Sequence, residues 1–180
     1  IKQNVNPYNL TGQYHLIQIK GISHASKSLE SAKVAERQAG SAQKILKQKY
    51  NVPISVTAEY QDTLSTGSGI TLWAIFSKNR EDIDENNPIR LGADSLGEQG
   101  KRAEDVGEEA ARRLAKEIES KAPVDRHLAD QLLPFMALVG NSKIKVSEIT
   151  NHCRTNIYTI EQFLGKVFEV DEENKHISVQ

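Results

Sequence analysis

Apolar positions along the chain switch between a period of two and a period near 3.6, and the switches mark out the elements. "YHLIQIK" (14–20) reads as a strand bounded by Gly12 and Gly21. From 28 to 49, Ala32, Ala35, Ala39, Ala42, Ile45 and Leu46 recur at three- and four-residue steps. That spacing predicts one long amphipathic helix, with Ser28 as its N-cap. "ISVTAEY" (54–60) puts Ile54, Val56, Ala58 and Tyr60 on one face, the pattern of a half-buried strand. "ITLWAIF" (70–76) is apolar throughout and flanked by turn residues, which predicts a central strand. The polar run "SKNREDIDENNP" (77–88) reads as a loop. Across 102–120 the helical spacing returns with Ala103, Val106, Ala110, Leu114 and Ile118.

After Lys121 the pattern resets, and the expected domain boundary lies near "SKAPVD" (120–125). Residues 125–139 read as a helix that Pro134 should kink or end near Leu133. "KIKVSEI" (143–149) reads as a strand, and a helix with Ile157, Ile160, Phe163 and Leu164 inward follows, capped by Thr155 or Asn156. Gly165 supplies its left-handed stop. "KVFEV" and "KHISV" form a hairpin around "DEEN". Strands alternating with helices favour a layered α/β (mixed α+β) fold over a bundle or a sandwich.

Composition narrows the classes without naming a function. A chain of 180 residues with 38% hydrophobic and 26% charged residues reads as globular, and it can build one ordinary domain or two small ones. Its longest apolar runs, "ITLWAIF" and "LLPFMALV", are too short for a bilayer, so no membrane partner is expected. One cysteine rules out an intrachain disulfide and fits a reducing compartment. With no charged-then-apolar leader, the expected location is cytoplasmic. A start at Ile1 rather than Met reads as a piece of something longer. Net charge of −1 and a pI near 6.6 argue against coating nucleic acid by bulk charge, but leave room for a local basic groove.

Several candidate motifs lead to structure rather than chemistry. "STGSG" (65–69) lacks the lysine of a phosphate loop and precedes a strand, so a turn is the better reading. "LGADSLGEQG" (91–100) precedes a helix, yet its glycine spacing is not the dinucleotide fingerprint. The five histidines, His15, His24, His127, His152 and His176, show no metal-ligand spacing, so a structural zinc is not expected.

Two stretches resist that treatment. In "DRHLADQLLPFMAL", His127, Asp130 and Gln131 sit at i, i+3 and i+4 and share one helix face. On the residues alone, a solvated face of an amphipathic helix is the favoured reading. In "EITNHCRTNIYTIEQFLG", His152 stands just ahead of the expected helix, where free N–H groups and the helix dipole favour an anion. A neutral imidazole at such a place can attack phosphorus, although a histidine that merely packs or caps fits the same pattern.

The paired stretches "DRHLADQLLPFMAL" and "ITNHCRTNIYTIEQFLG" closely resemble the C-terminal signature of the RNA 3′-terminal phosphate cyclases. "IKGISHA", "GSGITLWA" and "LGADSLGEQGKRAEDVGEEAA" resemble the middle of that family, so the likeness covers nearly the whole chain. The resemblance implies βαβαββ-type repeats interrupted by a smaller inserted α/β domain. Residues 1–10 would end a core segment, 10–123 would be the insert and 124–180 most of the last repeat. It also implies ATP and a divalent cation, Mg2+ or Mn2+, as cofactors, with RNA 3′-phosphate ends as partners.

In the implied reaction a histidine takes AMP from ATP, and AMP passes to the RNA 3′-phosphate. The neighbouring 2′-hydroxyl then closes a 2′,3′-cyclic phosphate and expels AMP. Matched position by position, His152 is the catalytic nucleophile, while Asp130 and Gln131 line the nucleotide site and Asp130 is the candidate for orienting a metal. His127 stands where relatives place an aromatic group against adenine. Arg154 is a candidate phosphate contact, and Thr155 and Asn156 would hold the histidine loop. The resemblance also implies an N-terminal half that completes the site. The competing reading is a non-catalytic cyclase-like protein for RNA binding or ribosome assembly, against which the presence of His152 weighs. A further alternative makes the insert a module for protein contact or RNA positioning.

Overall fold

The computed structural model describes residues 6–80 and 89–180. Most of the acidic half of the "SKNREDIDENNP" loop, residues 81–88, therefore lies outside the described residues. The described chain is mixed α+β and forms two compact units, one of His15–Glu119 and one of residues 6–14 with Ser120–Gln180. In chain order the elements are β1 (Asn9–Leu10), β2 (His15–Ser26), a 3-10 turn (Lys27–Leu29), α1 (Val34–Lys49), β3 (Ile54–Gln61), β4 (Ser68–Ser77), β5 (Ile89–Leu96) and α2 (Ala103–Glu119). After these come α3 (Arg126–Val139), β6 (Ser142–Lys145), α4 (Asn151–Leu164), β7 (Phe168–Asp171) and β8 (His176–Val179).

In the His15–Glu119 unit the sheet order is β3-β2-β4-β5. β2 and β3 run parallel through the α1 crossover, and the other pairs are antiparallel. β4 is central, which is why "ITLWAIF" is apolar on both faces. Leu46 of α1 and Leu114 of α2 pack with Ile19, Leu72 and Leu91 of the sheet to make its core. One buried polar bridge crosses that core: Ser23 Oγ donates to Gln38 Oε1 at 2.8 Å, and Gln38 Nε2 donates to Ser68 Oγ at 3.0 Å.

Three expectations in this unit need correction. β2 does not stop at Gly21 but runs through it to Ser26. A Cβ on Gly21 would stand 2.5 Å from Leu72 Cδ2 and 2.8 Å from the Thr71 carbonyl oxygen, so the glycine admits β4 rather than ending the strand. α1 starts at Val34 and not at Ser28, because Ser28 Oγ is engaged 3.2 Å from Thr66 Oγ1 and the chain makes a 3-10 turn there. Its N-cap is Lys33, left-handed at φ 52° and without a side-chain cap. Third, the start of "LGADSLGEQG" is not a loop but most of β5, where Leu91, Ala93 and Ser95 face the core in alternation.

In the other unit the sheet order is β1-β6-β8-β7, with β1 parallel to β6 and the β7–β8 hairpin antiparallel. β1 pairs Asn9 with Lys143 and Leu10 with Ile144, and an isolated parallel bridge joins Val124 to Val146. The register steps from Leu10 to Val124 along one line, so about the length of the other unit is threaded between two parts of one strand. Gln13 Nε2 closes this junction by donating to the Ala122 carbonyl at 3.0 Å. α3 and α4 cover the sheet, burying Leu133, Met136 and Cys153 against Ile144, Val146 and Ile177. The predicted strand 143–149 is only Ser142–Lys145 with the Val146 bridge.

Candidate functional site

Both helices of this unit begin at the same sheet edge. Val124 leads into α3 and Val146 towards α4, and the two segments are held parallel by the Ser147 N–H, which donates to the Val124 carbonyl at 2.9 Å. Each helix then opens on a side-chain cap. Asp125 accepts from the backbone N–H groups of His127 (3.0 Å) and Leu128 (2.8 Å). Thr150 Oγ1 accepts from the N–H of Cys153 at 3.2 Å. Two capped helix N-termini, each with its positive dipole end, therefore follow from neighbouring paired segments.

The cap of α4 corrects the expected boundary. Thr150, not Thr155 or Asn156, is the N-cap, because it precedes the first helical residue and its hydroxyl reaches three residues on. His152 consequently lies inside the first helical turn rather than ahead of it, and its side chain is exposed. His127 occupies the corresponding second position of α3 and is exposed too, as is Gln131, while Asp130 is half-buried. Cys153, next to His152 in the chain, is fully buried under the first turn of α4.

Pro134 neither ends α3 nor forces a boundary near Leu133, and the helix continues to Val139. A proline has no N–H for the carbonyl four residues earlier, here that of Asp130. Asn156 supplies the missing donor: its Nδ2 lies 3.2 Å from the Asp130 carbonyl oxygen. Asn156 is thus a bond between α4 and α3 and not a cap, while Thr155 is exposed and its carbonyl accepts from Thr159 Oγ1 at 2.8 Å. Arg154 makes a two-pronged ion pair with Glu172 in the β7–β8 turn, Nη2 to Oε2 at 2.9 Å and Nη1 to Oε1. That guanidinium holds the Glu172 carboxyl below its usual range. Nearby, Arg126 Nη1 pairs with Glu148 at 3.3 Å, tying the start of α3 to the loop ahead of α4.

Among the described residues no three His, Cys, Asp or Glu side chains converge as a metal set. A cation held at Asp130 would take its other ligands from phosphate oxygens and water, a common arrangement for magnesium with nucleotides.

Residues 14–119 match the model of a family described as RNA 3′-terminal phosphate cyclase (RTC), insert domain. The chain belongs to the RNA 3′-terminal phosphate cyclase family. Named members of that family are similar across most of its length. The RNA 3′-terminal phosphate cyclase of Thermococcus onnurineus is 48% identical over 159 residues, covering 88% of this chain and 43% of the relative. That of Pyrococcus furiosus is 47% identical over 156 residues, 87% of this chain and 42% of the relative. That of Methanothermobacter thermautotrophicus is 47% identical over 158 residues, 86% of this chain and 42% of the relative. The chain spans less than half the length of these curated relatives.

The cyclase insert carries a second concavity, which sequence reasoning split into two unrelated loops. "STGSG" and the end of "LGADSLGEQG" meet around a cavity of about 670 Å³, where the Gly97 N–H donates to the Ser68 carbonyl at 2.9 Å. Its cations are already paired, Arg37 with Glu104 at 2.8 Å and Lys101 with Glu109 at 2.5 Å. Residues 65–69 read as a turn and 91–100 as a stretch ahead of a helix, and only the β4–β5 pairing brings the two together.

The Asn156 bond and the two caps are what sequence reasoning missed in the unit that carries α3 and α4. Asp125 and Thr150 were legible as capping residue types one position ahead of each helix. For Asn156 the signal was indirect: a proline inside an apolar helical pattern implies a carbonyl that needs another donor.

Proposed function

We propose that this chain is the nucleophile-bearing part of an ATP-dependent RNA 3′-terminal phosphate cyclase. The observation that carries the reading is His152, exposed in the first turn of α4 beside the N-terminus of α3, in a chain of this family. A ring nitrogen of His152 attacks the α-phosphorus of ATP, forming an N–P bond as pyrophosphate leaves. The 3′-phosphate of the RNA then attacks the same phosphorus and breaks the N–P bond, returning the imidazole. The adjacent 2′-hydroxyl attacks the activated 3′-phosphorus, AMP leaves, and the cyclic phosphate remains. Ring closure is favoured because its nucleophile is already on the same ribose.

Each residue of this chain has a role short of the whole site. The positive dipole ends of α3 and α4 favour phosphate oxygens, and the buried Cys153 with the Thr150 cap keeps the His152 turn in place. His127 stacks on the base, Asp130 and Gln131 line the nucleotide site, and Arg154, paired with Glu172 in this structure, is the candidate phosphate contact. A divalent cation at Asp130, Mg2+ or Mn2+, supplies charge neutralisation of the polyphosphate. The site is completed by the remaining, N-terminal part of such an enzyme, and RNA 3′-phosphate ends are the partners. Such a protein is expected in the cytoplasm; no described helix is long and apolar enough to cross a membrane.

The test uses the complete protein and ATP labelled at the α-phosphorus. Wild type is expected to form an acid-labile, covalent adduct, and His152→Asn none. No adduct in wild type refutes the cyclase reading in favour of a non-catalytic relative, and an adduct in the variant moves the nucleophile elsewhere.

A further inference from the structure

We propose that Asn156 is a positioning residue, which sets the height of the His152 helix against α3 through a carbonyl that Pro134 leaves free. The proposal rests on the reading of His152 as nucleophile. Its structural part stands on three observations. Pro134 is inside α3 and gives the Asp130 carbonyl no partner within the helix. Asn156 Nδ2, from α4, donates to that carbonyl at 3.2 Å. Finally, Asn156 follows His152 by four residues, so both lie on one face of α4, a turn apart.

The distances along the helices explain why this bond matters. At 1.5 Å per residue, His152 sits about 6 Å towards the N-terminus from Asn156. On α3, His127 sits about 4.5 Å towards the N-terminus from Asp130. Because α3 and α4 leave one sheet edge in parallel, fixing Asn156 at Asp130 brings the two histidines to about the same level. It also holds the backbone of Asp130, whose carboxylate belongs to the same proposed site. With its usual helical N–H donor removed by the proline, the Asp130 carbonyl is open to the side-chain amide of Asn156 on α4. Leu128, Leu132, Ile157 and Ile160 all pack against the core of this unit, and apolar packing of that kind tolerates sliding. A single directional bond does not.

A filler role and a positioning role separate in one set of variants of the complete protein: Asn156→Ala, Pro134→Ala and both together. If Asn156 only satisfies an orphan acceptor, Pro134→Ala makes it redundant, because the new N–H at 134 takes the Asp130 carbonyl. Adduct formation is measured in single turnovers across ATP concentrations, and thermal unfolding is followed alongside. Asn156→Ala is expected to slow adduct formation at saturating ATP at least tenfold, with the half-saturating ATP concentration within about twofold of wild type. The double variant is expected to recover most of the lost Tm, while its adduct rate stays low.

Three results overturn the proposal. One is a wild-type rate in Asn156→Ala. A second is full recovery of the rate in the double variant, which would reduce Asn156 to a filler. The last is additive Tm changes of the two single variants, which would mean that no bond couples the positions. A wild-type protein without any adduct is a different failure: it removes the nucleophile reading, and the positioning role with it, whatever the stability coupling shows.

Discussion

Gly107 and Gly40 provide the same substitution with opposite expected signs on one helix pair. Gly107 is in the interior of α2 and buried against α1. A Cβ there would stand 2.1 Å from the Gln38 carbonyl oxygen, 2.9 Å from its carbon and 3.1 Å from its Cα. All three are backbone atoms, so the contact is relieved only by moving the helices apart by roughly 1 Å, against normal packing distances. Separation loosens the packing of Ala42 and Leu46 with Ala110 and Leu114 and strains the buried Gln38 bridge. Overpacking of this kind costs about 1–3 kcal/mol, and the better helix propensity of alanine offsets up to about 1 kcal/mol. Gly40, in the interior of α1, is exposed and has nothing within 4 Å of its would-be Cβ. Gly40→Ala should therefore stabilise by about 0.5–1 kcal/mol.

The single tryptophan, Trp73 on β4, reports on this unit alone. Urea unfolding followed by its fluorescence, with a slope of about 1.5 kcal/mol/M, turns these values into midpoint shifts. Gly107→Ala is expected to lower the midpoint by about 0.5–1.5 M, and Gly40→Ala to raise it by about 0.3–0.6 M. An unchanged or raised midpoint for Gly107→Ala would refute the claim that α1 and α2 touch backbone to backbone at this glycine.

The remaining predictions concern a cap and a charge. Thr150→Ala removes the acceptor of the Cys153 N–H, and about 1 kcal/mol of local stability should go with it. Hydrogen exchange at the Cys153 amide should then speed up about fivefold, whereas Thr150→Ser should leave it within twofold; equal exchange in the alanine variant would remove Thr150 as the cap. Arg37, bonded to Glu104 at 2.8 and 2.9 Å, pulls the Glu104 carboxyl down from 4.5 to about 2. A carboxyl depressed by folding contributes stability above its unfolded value, so that contribution should fade as pH drops from about 4.5 towards 2. The Trp73 urea midpoint should fall over that window in wild type and fall less in Glu104→Gln; identical pH profiles would show the pair to be neutral.

Periodicity legible in the chain was enough for most elements. The apolar run at 70–76 pointed to a central strand, and the small residues of 103–118 at helical spacing pointed to the buried face of a helix. Both statements follow from burying apolar surface, which needs no knowledge of the partner. Boundaries were less legible. Gly21 looked like a strand end and is the point where β4 comes closest, because a glycine signals both a turn and a close approach. Ser28 looked like a cap and is spent on Thr66, since a hydroxyl has many possible partners and the chain alone does not rank them. The alternation of Ile89, Leu91, Ala93 and Ser95 was there to be read, but glycines at 92 and 97 weighed against a strand.

The same division runs through the candidate site. Side-chain chemistry and helical spacing alone put His127, Asp130 and Gln131 on one face and marked His152 as a residue near a helix start. Likeness to the cyclases then supplied the proposed roles. Spatial arrangement came from tertiary structure: the parallel Val124–Val146 bridge starts α3 and α4 at one edge, about 110 residues of intervening chain notwithstanding between the two halves of the interrupted strand. Pro134 shows the physical reason for the division. Its local rule, the loss of one N–H, is written in the sequence, but which group answers the freed carbonyl depends on a residue 22 positions later, Asn156, that only packing brings within 3.2 Å of Asp130. Local propensity is set by neighbours along the chain, whereas the pairing of donors with acceptors across elements is set by where the core lets those elements lie.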